Sequence, residues 1–142
     1  MMDPSDLDWV LSTERAAYAF PWSKQGFDKA MDDGLAYVLC SDEQTPLGYA
    51  CFLSVLDEIH LLNFCIHPDF QGRGIGREAL SKFKTHFAEA SFVVMLLEVR
   101  ESNPAKALYR KLGFQEDGVR KGYYARKDSN GREDAVLMSL SL

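Results

Sequence analysis

Apolar residues recur at helical spacing in the first part of the chain. The first helical pattern follows Ser5, which can cap it, and it breaks at Phe20-Pro21-Trp22 because proline lacks a backbone donor and restricts the residue before it. A second, short helix is predicted after Ser23, ending near Gly34. The apolar positions of these two helices are Leu7, Val10, Leu11, Ala17, Tyr18, Phe27, Ala30 and Met31.

The next part of the chain has the pattern of extended strands. Three runs rich in β-branched, aromatic and other apolar residues are separated by short polar turns, which is typical of an antiparallel meander. The predicted strands cover residues 35–40, 47–56 and 59–67.

The second half of the chain alternates between helical and strand patterns. A glycine-rich loop over residues 71–76 leads into a long helix, and residues 92–99 are nearly all apolar, as in a strand covered on both faces. Asn103 can cap a further helix with Pro104 at its first position, ending at Gly113. Two last strands are predicted over residues 114–121 and 133–140, joined by a polar loop that contains Asn130 and Gly131.

This order of elements predicts an α/β fold, with a mixed, mostly antiparallel sheet and helices on both faces. The 142 residues are too few for two domains with substantial cores, so we expect a single domain over residues 1–142.

Composition narrows the class of protein. The hydrophobic fraction of 46% and charged fraction of 26% exclude a disordered or fibrous chain, and the net charge of −5 argues against a general nucleic-acid binder. No apolar run reaches the roughly 20 residues that span a bilayer, and the N-terminus lacks the features of a signal peptide. We therefore expect a cytoplasmic protein without a membrane partner. Cys40, Cys51 and Cys65 are predicted to be reduced core residues, and their spacing matches no zinc site.

The glycine-rich loop has the chemistry of an anion site. Its glycines let the backbone approach an anion, the helix that follows offers free N–H groups, and two arginines add positive charge, so pyrophosphate is the natural guest. The residues concerned are Gln71, Gly72, Arg73, Gly74, Ile75, Gly76 and Arg77. A Walker A loop is excluded because no lysine follows Gly76, and a dinucleotide fingerprint is weakened because Arg77 stands where its last glycine or alanine belongs. A flexible loop before a helix is the alternative.

These residues resemble a known family. The segment Gln-Gly-Arg-Gly-Ile-Gly matches the (Gln/Arg)-x-x-Gly-x-(Gly/Ala) pattern of the GCN5-related N-acetyltransferases (GNAT), and the resemblance covers the whole chain. Within that family it is most similar to the RimI-type enzymes, which acetylate the N-terminal alanine of a small-subunit ribosomal protein. The segments that carry this similarity are Phe-Pro-Trp-Ser from residue 20, Leu-Glu-Val-Arg from 97, Ala-Leu-Tyr from 107, Leu-Gly-Phe from 112, Tyr-Tyr from 123 and Gly-Arg-Glu-Asp-Ala from 131.

The resemblance implies acetyl-CoA as cosubstrate and no metal. It implies that the loop holds the pyrophosphate of the coenzyme, with Asn103 as a further contact. It also implies a bulged third strand that splays from the next one, where a backbone N–H among Phe64, Cys65 and Ile66 holds the thioester carbonyl. From the sequence alone, Asn103 is equally well explained as a helix cap only.

Two residues are predicted to move protons. Glu98 ends the apolar strand on the same face as Val94 and Leu96, and by resemblance it is the general base; its alternative is a structural carboxylate paired with Arg100. Tyr109 is the candidate acid that protonates the departing thiolate, and its alternative is a core tyrosine with a satisfied hydroxyl.

The substrate groove is predicted only by resemblance. Trp22, Tyr123 and Tyr124 are the residues concerned, with core or loop packing as the alternative. The expected activity is acetylation of a protein α-amine, on the N-terminus of a ribosomal protein. The alternatives are an acetyltransferase of the same fold that acts on a small-molecule amine or a lysine, and a non-catalytic coenzyme-A-binding module.

Overall fold

A computed structural model describes residues 1–125 and 131–142 of the chain, so the predicted loop residue Asn130 lies outside the described residues. Two short 3-10 helices, Pro4–Asp6 and Pro68–Phe70, accompany the main elements. The α-helices are α1 (Leu7–Ala17), α2 (Lys24–Asp32), α3 (Ile75–Glu89) and α4 (Ala105–Lys111). The strands are β1 (Ala36–Cys40), β2 (Pro46–Val55), β3 (Glu58–Ile66), β4 (Val94–Arg100), β5 (Gln115–Ala125) and β6 (Arg132–Ser141).

The six strands form one sheet in the order β1-β2-β3-β4-β6-β5. The pairs β1–β2, β4–β6 and β5–β6 are antiparallel, which confirms the predicted α/β fold with a mostly antiparallel sheet. The described residues fall into two compact units: the first comprises Met1–Leu53 and Leu61–Ala79, the second Ser54–His60 and Leu80–Leu142. That the chain is one domain with splayed central strands stays a prediction.

The core of the first unit joins its two N-terminal helices to strands β1, β2 and β3. Its apolar members come from the faces that the sequence pattern predicts, and Trp22 is among the partly buried residues packed against them. Its buried members are Met2, Leu7, Val10, Phe27, Ala30, Ala36, Tyr49, Cys51 and Cys65. The prediction of core cysteines is wrong for Cys40, which is exposed at the end of β1 because the strand leaves the core there; all three thiols are free.

Two of the predicted helix caps differ in the structure. Asp3, not Ser5, caps the N-terminal 3-10 helix, and its carboxylate accepts the backbone N–H of Ser5 at 2.8 Å. Pro4 fits the first helical position because its ring fixes φ and its missing N–H needs no partner there, which moves the cap one residue upstream of it. Ser23 occupies the cap position of α2 without a side-chain hydrogen bond.

In the second unit, α3, β4 and β6 supply most of the buried apolar side chains. Met95, Leu97 and Val99 are buried on one face of β4, whereas Val94 and Leu96 on the other face are only half-buried. The predicted cover on both faces of this strand is therefore uneven. On α3, the rings of Phe83 and Phe87 stack at 6.1 Å between centroids.

Strand β5 is longer than predicted. It extends to Ala125, so Tyr123 and Tyr124 lie in a strand and not in a loop. Pairing with β6, where Tyr124 faces Glu133, extends the strand through this polar and aromatic stretch, which local periodicity does not mark as β.

Candidate active site

The glycine-rich loop of the first unit has the backbone that the sequence predicts. Gly72 and Gly74 adopt φ angles of +80° and +77°, a left-handed conformation that favours glycine, and no atom lies within 4 Å of where a Cβ would project. Helix α3 begins directly afterwards at Ile75, so Gly76 and Arg77 lie in its first turn. This part of the structure thus leaves open space beside N–H groups that have no partner within the helix.

The loop is anchored to β3 by a side chain. Gln71 donates its Nε2–H to the carbonyl oxygen of Ile66 at 3.0 Å. Arg73 lies over the ring of Phe70, with its Cζ 5.5 Å from the centroid. The predicted anion-binding residues therefore form one continuous stretch of the first unit after β3, exposed except for the half-buried Ile75 and Gly76.

The end of β3 is held by close contacts within the first unit. The Tyr18 hydroxyl donates to the carbonyl oxygen of Phe64 at 2.6 Å, and the N–H of His67 donates to Leu47 at 2.8 Å. On β2, a Cβ at Gly48 would lie 2.3 Å from the carbonyl oxygen of Cys65, a distance that real Cβ atoms do not reach. Glycine at this position therefore allows the two backbones to approach where the thioester carbonyl is predicted to bind.

In the second unit, Glu98 is paired with an arginine. Its Oε1 lies 3.1 Å from the guanidinium of Arg120, and its side chain is 32% exposed. Glu98 faces Leu137 of β6, and Gly118 of β5 faces the same leucine from the other side. The Arg120 side chain thus crosses β6 to reach Glu98 on β4.

The predicted acid lies in an aromatic cluster of the same unit. Tyr109 is 6% exposed, and its ring meets that of Phe114 edge-on at 5.6 Å. Burial, together with an electrostatic interaction with Tyr124, raises the pKa of Tyr109 to about 12. The phenol therefore stays protonated at neutral pH and can act as a donor.

Tyr124 connects the predicted base with the predicted acid. Burial and then the negative charge of Glu98 raise the pKa of Tyr124, and Tyr124 in turn influences Tyr109. Its ring lies 4.9 Å from that of Tyr123, which stacks under the guanidinium of Arg120 at 4.8 Å. The second unit thus brings together four of the predicted site residues, Glu98, Tyr109, Tyr123 and Tyr124.

The other charged groups near the end of β4 have partners of their own. Arg100, the alternative partner of Glu98, pairs with Glu133 at 3.0 Å. Glu101 pairs with Lys106 at 2.8 Å. Of the carboxylates in this segment, Glu98 is the one whose charge acts on the tyrosine cluster.

Asn103 has the capping role that its position predicts. Its Oδ1 accepts the backbone N–H of Ala105 at 2.9 Å, and α4 begins at that residue, one position later than predicted. Whether its amide also contacts the coenzyme stays a prediction.

Trp22 lies on the N-terminal side of α2 in the first unit. Its indole packs against Phe27 at 5.3 Å between centroids and lies over Gly26, where a Cβ would meet the ring at 2.9 Å. The packing interpretation is confirmed for the half-buried ring, and its contact with a substrate stays a prediction.

Sequence reasoning missed three residues around these groups: Glu14, Gly48 and Arg120. Glu14 gave a signal that was available, because a glutamate stands on the apolar face of α1 in line with Leu7 and Val10. Gly48 and Arg120 gave none, since their roles depend on the register of neighbouring strands.

Within residues 1–125 and 131–142, no cluster of three or more His, Cys, Asp or Glu side chains is arranged to hold a metal ion. His67 has structural contacts: its Nδ1 accepts the N–H of Asp69 at 3.1 Å, and its ring stacks on Trp9.

In the same described part of the chain, no helix has the length and apolar character needed to cross a membrane.

Comparison with known proteins agrees with this geometry. The sequence model described as the acetyltransferase (GNAT) family matches residues 6–114. The chain is 36% identical over 141 residues to the [ribosomal protein bS18]-alanine N-acetyltransferase of Haemophilus influenzae, covering 99% of this chain and 96% of that protein. It is 34% identical over 142 residues to the protein of the same name from Escherichia coli (strain K12), covering 99% and 95%. The crystal structure of the ribosomal-protein-S18-alanine N-acetyltransferase from Escherichia coli superimposes with a TM-score of 0.88 at 36% identity, covering 99% of this chain and 90% of that one.

Proposed function

Because the chain belongs to the acetyltransferase (GNAT) family, we propose that it transfers the acetyl group of acetyl-CoA to the N-terminal alanine of a ribosomal protein, bS18. The observation that carries this proposal is the cluster of the second unit. There Glu98 pairs with Arg120, whose guanidinium lies over the ring of Tyr123 beside Tyr124. The buried Tyr109 completes this cluster, and an interaction with Tyr124 contributes to its raised pKa. A carboxylate and a protonated phenol in one cluster are the two groups that amide formation from an amine and a thioester needs.

The first unit fits a coenzyme with phosphates. The space beside Gly72 and Gly74 is open, and Arg73 and Arg77 belong to the same short stretch of chain. The loop would hold the pyrophosphate, and a backbone N–H among Phe64, Cys65 and Ile66 would hold the thioester carbonyl. Bound acetyl-CoA supplies an acyl carbon activated by its thiolate leaving group.

Glu98 and Tyr109 have opposite tasks in this mechanism. Glu98 accepts a proton from the acceptor amine, directly or through water, as the amine nitrogen forms its bond to the acyl carbon. Tyr109 donates its phenolic proton to the sulfur as the carbon–sulfur bond breaks. With a pKa of about 12, Tyr109 is protonated at neutral pH, as this role requires.

The chemistry favours an α-amine over a lysine as acceptor. An α-amine has a pKa of about 7.7–8.0 and a lysine one of about 10.4, so at neutral pH roughly a tenth of α-amines but only about one lysine in 2,500 is neutral. General base catalysis of the usual size, about 10²–10⁴ in rate, is enough for the former.

A substrate panel tests the proposal. We expect the protein to acetylate a lysine-free peptide with the N-terminal alanine and the residues that follow it in bS18. It should not acetylate the same peptide when its N-terminus is blocked and one lysine is added, and it should not acetylate a polyamine. Acetylation of the blocked peptide alone would indicate a lysine as the acceptor, and acetylation of the polyamine alone would indicate a small-molecule amine. Transfer to none of the three would favour a non-catalytic module.

A paired glycine substitution tests the coenzyme site separately. Gly74 and Gly34 have nearly the same backbone, with φ of +77° and +71° and no atom within 4 Å of a Cβ, so Gly74→Ala and Gly34→Ala carry the same local strain. We expect only Gly74→Ala to weaken acetyl-CoA binding in a calorimetric titration. If the two variants bind acetyl-CoA with equal affinity, the glycine-rich loop does not form part of the coenzyme site.

A further inference from the structure

A buried carboxylate lies on α1, apart from the groups of the candidate active site. Glu14 is 2% exposed, and Thr13 beside it is equally buried. Burial of a carboxylate is costly unless hydrogen bonds satisfy it, so the contacts of Glu14 indicate what the residue is for.

Three donors from three different segments converge on this carboxylate. Its Oε2 accepts the backbone N–H of Trp22 at 2.9 Å. Its Oε1 accepts the hydroxyl of Tyr49 on β2 at 2.6 Å and the amide Nδ2–H of Asn63 on β3 at 3.1 Å. The carboxylate thus links the backbone that follows α1 to both strands beneath it.

The donors are neutral, and the charge of Glu14 is felt by its neighbours. Burial and then the charge of Glu14 raise the pKa of Cys51 to about 12. In the described part of the chain, no ion pair involves Glu14. Hydrogen bonds to a charged acceptor are stronger than neutral ones, so removing the charge weakens all three contacts together.

A second tether runs from the same segment to β3. The Tyr18 hydroxyl donates to the carbonyl oxygen of Phe64, one residue after Asn63. The segment 18–22 is therefore fixed at both ends: Tyr18 to β3, and Trp22 through Glu14 to β2 and β3. The Trp22 indole is carried by the second of these ends and lies over Gly26 and Phe27.

We propose that Glu14 is a positioning residue for the acceptor peptide: with the Tyr18 hydroxyl it fixes segment 18–22, and hence the Trp22 indole, at a set distance from the end of β3. The inference rests on the proposed function, in which Trp22 borders the acceptor and Phe64, Cys65 and Ile66 hold the thioester carbonyl. Glu14 touches neither substrate in this arrangement and acts through Trp22.

Glu14→Gln is the informative substitution because it keeps the shape and allows the network to rearrange. The glutamine oxygen can still accept the Trp22 N–H. Its amide faces Asn63, which can turn its own oxygen toward it, and the Tyr49 hydroxyl, whose oxygen can accept. Thr13→Val is the matched control, with equal burial on the same helix. If Glu14→Gln does not fold, Tyr18→Phe, which loses the other tether, is measured in its place with the same expected direction.

The variants are compared in a Trp9→Phe background, where Trp22 is the only one of the chain's 2 tryptophans that remains. We expect Glu14→Gln to increase acrylamide quenching of Trp22 and to raise KM for the alanine peptide by about tenfold, the usual effect of losing one hydrogen bond to a charged group. The affinity for acetyl-CoA should stay that of the background protein.

Other outcomes overturn the inference. Unchanged quenching and KM, or changes matched by Thr13→Val, make Glu14 a structural residue only. Increased quenching with an unchanged KM for the peptide would mean that the position of Trp22 does not affect binding of the acceptor peptide. If the background protein acetylates no peptide, the proposed function fails, while quenching still decides whether Glu14 positions Trp22.

Discussion

At the scale of single residues, the sharpest distinction is between the two glutamates at the end of β4. Glu98 pairs with Arg120 and acts on the tyrosine cluster, whereas Glu101 pairs with Lys106 at the start of α4. They are three residues apart, so local sequence does not distinguish their roles. Their ion-pair partners do.

Glu98→Gln should therefore slow acetyl transfer by about 10²–10⁴, the usual contribution of a general base. Glutamine keeps the size of the side chain and an oxygen for Arg120 but does not accept the proton at neutral pH. Single-turnover acetylation of the alanine peptide measures the effect, with Glu101→Gln as the control expected to keep the parental rate. If Glu101→Gln were the slower variant, the roles of the two residues would be exchanged.

Tyr109→Phe should lower kcat by a factor of about 10² or more, because the ring packing is kept and only the proton donor is lost. The phenyl ring still meets Phe114, so binding of either substrate should change little. Steady-state kinetics with each substrate varied in turn check this expectation, and Tyr37→Phe on β1 serves as the control. A raised KM with an unchanged kcat would make Tyr109 a packing residue.

At the scale of elements, the close approach of β2 and β3 is the feature on which the predicted thioester site depends. Gly48→Ala would place a Cβ against backbone atoms, 2.3 Å from Cys65 O and 3.1 Å from Ile66 Cα, and backbone cannot turn away as a flexible side chain can. We expect a loss of about 1–3 kcal/mol in the free energy of unfolding and weaker acetyl-CoA binding.

The control for Gly48→Ala is Gly118→Ala, since it is also in a strand and has room for a Cβ, with the nearest atom 3.9 Å away. Its free energy of unfolding should stay within about 0.5 kcal/mol of the parent. Urea denaturation and calorimetric titration measure both variants. Equal losses of stability would mean that the intrinsic strand preference of alanine, and not the close approach, decides the result.

The elements themselves could largely be predicted from the sequence. Helical and strand periodicity, Gly34 as a helix stop and the glycine-rich loop before α3 are local signals, and the structure confirms them. The strand identity of Tyr123 and Tyr124 was not predicted, although tyrosine itself favours strands. The charged residues and the glycine before the pair interrupt the alternating pattern, and pairing with β6 continues the strand through them.

The partners within the candidate site were beyond sequence reasoning for a related physical reason. Arg120 reaches Glu98 because β6 lies between β4 and β5 in a particular register. Glu14 was visible as a polar residue on an apolar helix face, but its three donors come from segments up to 49 residues away. Residues with the chemistry of the site could be recognised in the sequence. Which of them interact with each other became clear only from the fold.

At the scale of the whole molecule, burial of phenols and thiols predicts how stability depends on pH. Burial raises the pKa of Tyr37, Tyr49, Tyr109 and Tyr124, and that of Cys51 and Cys65. Below the ordinary pKa of these groups, the folded and unfolded chains are both protonated and stability is at its full value. Above it, the unfolded chain releases protons that the folded chain keeps, so the free energy of unfolding falls.

For Tyr109 alone, a change from 10.0 in the unfolded chain to about 12 in the folded one corresponds to a loss of about 3 kcal/mol between these pH values. Tyr109→Phe should therefore flatten the fall of the free energy of unfolding above pH 10, although it removes a hydroxyl from the folded protein. Urea denaturation at a series of pH values from 8 to about 11 measures this slope for the parent, for Tyr109→Phe and for Tyr123→Phe, whose side chain is 42% exposed. Only Tyr109→Phe should differ from the parent. If all three proteins lose stability with the same slope, the Tyr109 phenol ionises as readily in the folded chain as in the unfolded one, and burial does not raise its pKa.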